Sequence, residues 1–103
     1  MKVYYNDNMK EACHDLRVAT KNYGKQIAKK LHRKIALLNA AETLRELMSF
    51  DNHAHWLKGT RQWDFSIPLA NGYSLILQPM HQNSKAPQDH KEMRVIKIED
   101  YHD

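Results

Sequence analysis

Residues 63–77, Trp63-Asp64-Phe65-Ser66-Ile67-Pro68-Leu69-Ala70-Asn71-Gly72-Tyr73-Ser74-Leu75-Ile76-Leu77, decide how this chain folds. Trp63, Phe65, Ile67 and Leu69 alternate with Asp64, Ser66 and Pro68, the period of a half-buried strand. Asn71-Gly72 marks a hairpin, and Tyr73, Leu75 and Leu77 alternate again beyond it. A two-residue turn pairs Leu69 with Ser74 and sends the two apolar sets to opposite faces. A three-residue loop, Ala70-Asn71-Gly72, pairs Leu69 with Tyr73 and keeps both sets on one face. That loop needs a left-handed third residue, which Gly72 supplies. The three-residue loop is therefore predicted, with Asp64, Ser66 and Ser74 on the face away from the core.

Upstream of the hairpin the period is 3.6. Val3, Tyr4 and Tyr5 predict a short first strand, and Asn6-Asp7-Asn8 a turn. Asn8 and Glu11 have the spacing of a capping box. Met9, Cys13, Leu16 and Thr20 then share one helical face, and Gly24 is a natural stop. A second helix is expected from about Lys25 to Asn39. Its apolar stripe is Ile27, Leu31, Ile35 and Leu38, with Lys25, Lys29 and Arg33 nearly opposite. A short third helix is expected over Ala40 to Met48, and a polar loop from Phe50 to Arg61. Residues 80 to 91 read as polar and mobile, and Met93 to Glu99 as the last strand. If that strand runs straight, Asp100 and His102 share a face with Ile96 and Ile98, the presumed core side. Either the tail bends off after about Glu99, or this face assignment fails. The order predicts an α+β domain: an N-terminal strand, then two to three helices packed on one face of a mainly antiparallel sheet.

A length of 103 residues fits one domain over 1–103. No apolar run is long enough to cross a bilayer, so no membrane association is expected. Lys2-Val3-Tyr4-Tyr5 reads as a strand start rather than a signal peptide. A lone Cys13 forms no internal disulfide and no four-cysteine zinc site, which points to the cytoplasm. The net charge of +4 is modest, but it is unevenly spread. Between Arg17 and Lys34 lie seven basic residues (Arg17, Lys21, Lys25, Lys29, Lys30, Arg33, Lys34) and no acidic one. An ordinary solvated helix mixes signs to gain i,i+4 pairs. Lys21, Lys25, Lys29 and Arg33 instead repeat one charge at that spacing, as a surface facing a polyanion does.

His53-Ala54-His55-Trp56-Leu57-Lys58-Gly59 holds two imidazoles, an indole and an ammonium. Imidazole moves protons near neutral pH, and an ammonium holds phosphoryl oxygens. Two histidines at i,i+2 can also chelate a metal, but no carboxylate or thiolate lies close by in sequence. Histidines without a task are the plainer reading of this loop, as a polar terminus is of Glu99 to Asp103.

The chain resembles the HigB-type toxins of the RelE/ParE toxin-antitoxin superfamily over nearly its whole length. The likeness runs through Gly24-Lys-Gln-Ile-Ala-Lys-Lys-Leu31, Ala40-Ala41-Glu42-Thr43-Leu44 and His55-Trp56-Leu57-Lys58-Gly59. It continues through Phe65-Ser66-Ile67 and Gly72-Tyr73-Ser74-Leu75-Ile76 with Pro79, and closes on Glu99-Asp100-Tyr101-His102. The resemblance implies a RelE-like fold. It also implies the type II toxin activity of the family, a ribosome-dependent messenger RNA endoribonuclease that inhibits translation and arrests growth. No metal or cofactor is implied, because the ribose 2′-OH attacks the adjacent phosphorus and leaves a 2′,3′-cyclic phosphate and a 5′-OH. The resemblance places His55, Lys58, Asp100, Tyr101 and His102 in the catalytic site. Lys58 would steady the phosphoryl charge, and His55, Asp100 and His102 would share the proton transfers, each worth roughly 10²- to 10⁴-fold. Tyr101 would stack on a base or position the phosphate. Lys21, Lys25, Lys29, Lys30, Arg33 and Lys34 become candidate ribosomal-RNA contacts. The implied partners are the 70S ribosome with messenger RNA and a helix-turn-helix antitoxin of the HigA type, with operator DNA reached only through that antitoxin.

One departure stands out. The family usually has an arginine where this chain has Ser74, which brings a hydrogen bond but no charge. Arg61, in the preceding loop, is the candidate auxiliary cation in its place. The departure bears on catalysis more than on fold. It leaves two alternatives: a weakened relative acting mainly in antitoxin binding and operon repression, or a ParE-like gyrase inhibitor.

Overall fold

In a computed structural model, which describes residues 1–100, helices cover one face of a five-stranded sheet. Strand β1 (Lys2–Tyr5) leads into helix α1 (Asp7–His14) and α2 (Leu16–Tyr23). Helices α3 (Lys25–Ala40) and α4 (Leu44–Phe50) follow. Strands β2 (His55–Trp56), β3 (Phe65–Pro68), β4 (Tyr73–Pro79) and β5 (Glu92–Asp100) complete the chain. The sheet order is β1-β5-β4-β3-β2, with β1 parallel to β5 and the other pairs antiparallel. This is the α+β arrangement expected from the period change.

The predicted first helix is two helices. Asp15 adopts an extended conformation (φ −131°, ψ 111°), and its carboxylate accepts the Arg17 amide at 2.9 Å, capping α2. That break resets the helical phase. Met9 and Cys13 are buried as expected, but Leu16 is 46% exposed and Thr20 is exposed. Ala12 and Ala19 take their place in the core. The capping box at Asn8 is also corrected: α1 starts two residues earlier, behind Asn6, and Asn8 Nδ2 donates to the Ile96 carbonyl at 3.3 Å. Gly24 ends α2 at φ 87°, a torsion that disfavours any side chain, although a Cβ there would meet nothing. On α3, Ile27, Leu31, Ile35 and Leu38 are all buried. Ala41 is extended, so the third helix starts later than predicted, where Thr43 Oγ1 accepts the Glu46 amide at 3.2 Å.

The hairpin has the predicted pairing. Pro68 opposes Ser74 and Ile67 opposes Leu75, while Leu69 N–H donates to Tyr73 O at 2.8 Å. Gly72 is left-handed (φ 79°), and so is Asn71 (φ 55°). The Asn71-Gly72 turn is thus of the primed type, with Ala70 as the extra residue that restores the three-residue register. The 50–61 loop is more ordered than expected, because His55 and Trp56 pair with Ser66 and Phe65 as an edge strand. Residues 80–91 are tied down as well. Buried His90 donates from Nε2 to Ser84 O at 2.6 Å, and its carbonyl accepts the Leu44 amide at 2.9 Å.

Strand β5 settles the question of faces. Ile76 opposes Lys97 but Leu77 opposes Val95, so Ile96 is an extra, bulged residue. Before the bulge Met93 and Val95 face the helices; after it Ile98 does, opposite Leu75. Ile96 and Ile98 therefore do not share a face. The strand runs straight to Asp100, which follows Ile98 on the helix side but lies exposed at the sheet's end.

Candidate functional site

The sheet's second face, away from the helices, carries most of the candidate chemistry. Because side chains alternate, the row His55–Ser66–Ile76–Lys97 runs across β2, β3, β4 and β5 on that open face. A neighbouring row joins Pro68, Ser74 and Glu99, and a third joins Tyr4, Arg94 and Gln78. At the centre of this face Ser66, Ser74 and Ile76 are buried, and Ser74 is only 6% exposed.

His55 is exposed on the edge strand, with Nδ1 2.8 Å from the His53 carbonyl. A carbonyl only accepts, so the neutral ring carries its proton on Nδ1 and presents Nε2 as a proton acceptor. Lys58 is exposed on the loop just beyond, with no acidic partner among the described residues. Trp56 has a different job. It turns to the helix side, edge-on to Phe65 (5.3 Å between centroids) and His90, while Lys85 Nζ lies 4.5 Å from its ring and 4.3 Å from that of Trp63. This cluster closes the end of the core.

Arg61 reaches the open face. Nε donates to Asp64 Oδ2 at 3.0 Å and Nη1 donates to Glu99 Oε2 at 2.7 Å. Gln78 Nε2 donates to the other oxygen of Asp64 at 2.8 Å, and Lys97 Nζ lies 3.1 Å from Glu99 Oε1. Glu99 is the register partner of Ser74, so the guanidinium lies over the strand pair that carries Ser74. It is held by carboxylates rather than presented alone.

Asp100 is not brought to His55. It opposes Tyr73 and stands on the helix side, whereas His55 points to the open face. Three strand spacings of about 4.8 Å and three residues of about 3.3 Å place the two backbones on the order of 17 Å apart. Tyr101 and His102 lie outside the described residues. Sequence reasoning passed over Glu99, Asp64, Gln78 and Lys97 as partners, because the bulge that puts Glu99 beside Ser74 has no periodic signature. Among the described residues no group of three His, Cys, Asp or Glu side chains converges as a metal site requires.

The basic run divides. Lys21 and Lys25 sit on different helices, so the i,i+4 row holds only for Lys25, Lys29 and Arg33 on α3, all exposed. Lys30 is half-buried. Lys34 is engaged elsewhere: Nζ lies 2.5 Å from Asp51 Oδ2, with the two side chains 17% and 6% exposed. It is removed from the candidate contact surface.

Fold and site together define an α+β protein with its helices on one side of the sheet and a charged open face on the other. No protein-family model, curated protein or solved structure matches this chain.

Proposed function

We propose that this chain is a HigB-type toxin of a type II toxin-antitoxin system, a ribosome-dependent endoribonuclease acting on messenger RNA. The observation that carries the reading is the His55–Lys58 element: an imidazole with a free acceptor nitrogen and an unpaired ammonium, on the edge of a charged sheet face. In the proposed reaction His55 Nε2 takes the ribose 2′ proton and Lys58 stabilises charge on the phosphoryl oxygens. Tyr101 and His102 complete the site from the tail in this reading, one of them protonating the 5′ leaving oxygen, while Asp100 stands on the helix side and takes no part. Exposed Lys21, Lys25, Lys29 and Arg33 form the ribosomal-RNA contact in this reading, which places the protein in the cytoplasm. A helix-turn-helix antitoxin of the HigA type is the proposed partner, and operator DNA is reached through it.

A second reading, a weakened relative serving mainly antitoxin binding and operon repression, is favoured by one observation. Ser74 is the register partner of Glu99, and Arg61, which pairs with Glu99, is held by two carboxylates. Purified ribosomes with messenger RNA separate the two. Cleavage mapped by new 5′-OH ends, lost in His55→Ala and in His102→Ala, supports the nuclease. Intact messenger RNA with tight antitoxin binding supports the second reading.

A further inference from the structure

The loop from Leu57 to Asp64 is closed on itself by backbone hydrogen bonds. Leu57 N–H donates to Asp64 O at 2.9 Å, Arg61 N–H to Lys58 O at 3.3 Å, and Asp64 N–H to Arg61 O at 2.9 Å. Lys58 and the strand end bearing His55 therefore move with this loop. Among the described residues, Arg61 ties it to β5. Arg61 grips Asp64 within the loop at 3.0 Å and Glu99 on β5 at 2.7 Å. Glu99 immediately precedes Asp100, and Gln78 on β4 holds the second Asp64 oxygen at 2.8 Å. The Asp64 and Glu99 side chains are 15% and 18% exposed and that of Arg61 35%, so the bridge is partly shielded from solvent.

We infer that Arg61 is a positioning residue: by bridging Asp64 and Glu99 it sets the loop that carries Lys58 against the end of β5. Its planar fork suits the task, since two donors at fixed angle meet two separate carboxylates. A lysine ammonium is a point charge on a flexible stem and holds one of them at a time. The same geometry argues against Arg61 as a substitute for the family arginine, because Nε and Nη1 are already committed to carboxylates. The inference rests on the proposed nuclease reading for its activity arm and on the geometry alone for its structural arm.

The test uses the full chain and three variants, Arg61→Lys, Arg61→Gln and Glu99→Gln, each checked for folding by thermal melting. In single-turnover cleavage of ribosome-bound messenger RNA, positioning predicts a rate constant about 10- to 100-fold lower for all three, with little change in half-saturating concentration. If neutralising Glu99 leaves the rate at or above wild type, Arg61 is a phosphate-binding cation and the inference falls. The structural arm is amide hydrogen exchange at Leu57 and Asp64, whose N–H groups close the loop. Arg61→Gln and Glu99→Gln should speed it by the same factor, and the double variant by no more than either single one. Unchanged exchange in both overturns the inference. A wild-type chain that cuts nothing removes the nuclease reading, while the exchange result still decides the bridge.

Discussion

Asp51 shows how one buried group changes the reading of another. Its Oδ2 meets Lys34 on α3 at 2.5 Å, while Oδ1 accepts the His53 amide at 3.2 Å, so one carboxylate fixes the start of the histidine loop to a helix. Removing the lysine leaves that carboxylate buried and unpaired. Lys34→Met should therefore cost about 3 kcal/mol in chemical denaturation, and Lys34→Met with Asp51→Asn should recover part of it. A loss below about 0.5 kcal/mol, the range of exposed ion pairs, would show the pair to be solvated. Cys13 gives a second residue-scale expectation. Burial pushes its thiol from 9.0 up to about 12, and burial also raises Tyr5 and Tyr23 above 10.0. Each folded value lies above its unfolded one, so the stability these groups contribute is complete below about pH 9 and is lost as pH rises towards 12. Thermal melts should fall across that window, less steeply in Cys13→Ala. Native protein should resist thiol alkylation at pH 8, and unfolded protein should react.

Among the elements, the β3–β4 hairpin was legible because two constraints met in it. Alternation demanded that Leu69 face Tyr73, and Asn71-Gly72 is the residue pair whose torsions close such a loop. Gly72 sits at φ 79°, so Gly72→Ala should cost about 1–2 kcal/mol, visible as a lower denaturation midpoint with unchanged slope. If stability is unaltered, the loop re-registers without penalty and the pairing argument loses its basis. Helix α3 was equally legible, since a single apolar stripe at i, i+4, i+8 leaves one way to bury it. The break at Asp15 and the bulge at Ile96 were not. Each interrupts a period by one residue, and a side chain that caps a turn or a bulge that doubles a strand position is chosen by packing, not by pattern.

For the whole molecule, the helical layer separates two charged surfaces. Lys25, Lys29 and Arg33 point outward from α3, while His55, Arg61, Lys97 and Glu99 lie on the opposite, open face of the sheet. Substitutions on the two surfaces should thus act on different steps. Lys25→Glu with Lys29→Glu should weaken ribosome binding and reduce the slope of log affinity against log salt by about 0.7–0.9 per lost phosphate contact. Folding stability should hold within a few tenths of a kcal/mol, because the 25–29 pair stays like-charged while the 29–33 pair becomes opposite in sign. Ribosome affinity that is unchanged and independent of salt would dismiss the α3 row as a contact.

The candidate site shows the same division between what is local and what is not. His55 and Lys58 were singled out through the resemblance, because a local stretch such as His55-Trp56-Leu57-Lys58-Gly59 can be matched without knowing the fold. The link between them and the tail was not legible, and neither was the commitment of Lys34 and Arg61 to carboxylates 17 and 38 residues away. Sequence by itself determined the order of elements, the apolar stripes and the hairpin register, because periodicity and turn torsions act over a few residues. Only the tertiary structure decided which face Asp100 and Glu99 occupy and which cations are already paired. Those outcomes depend on distant strands meeting in register, and one bulged residue reverses them.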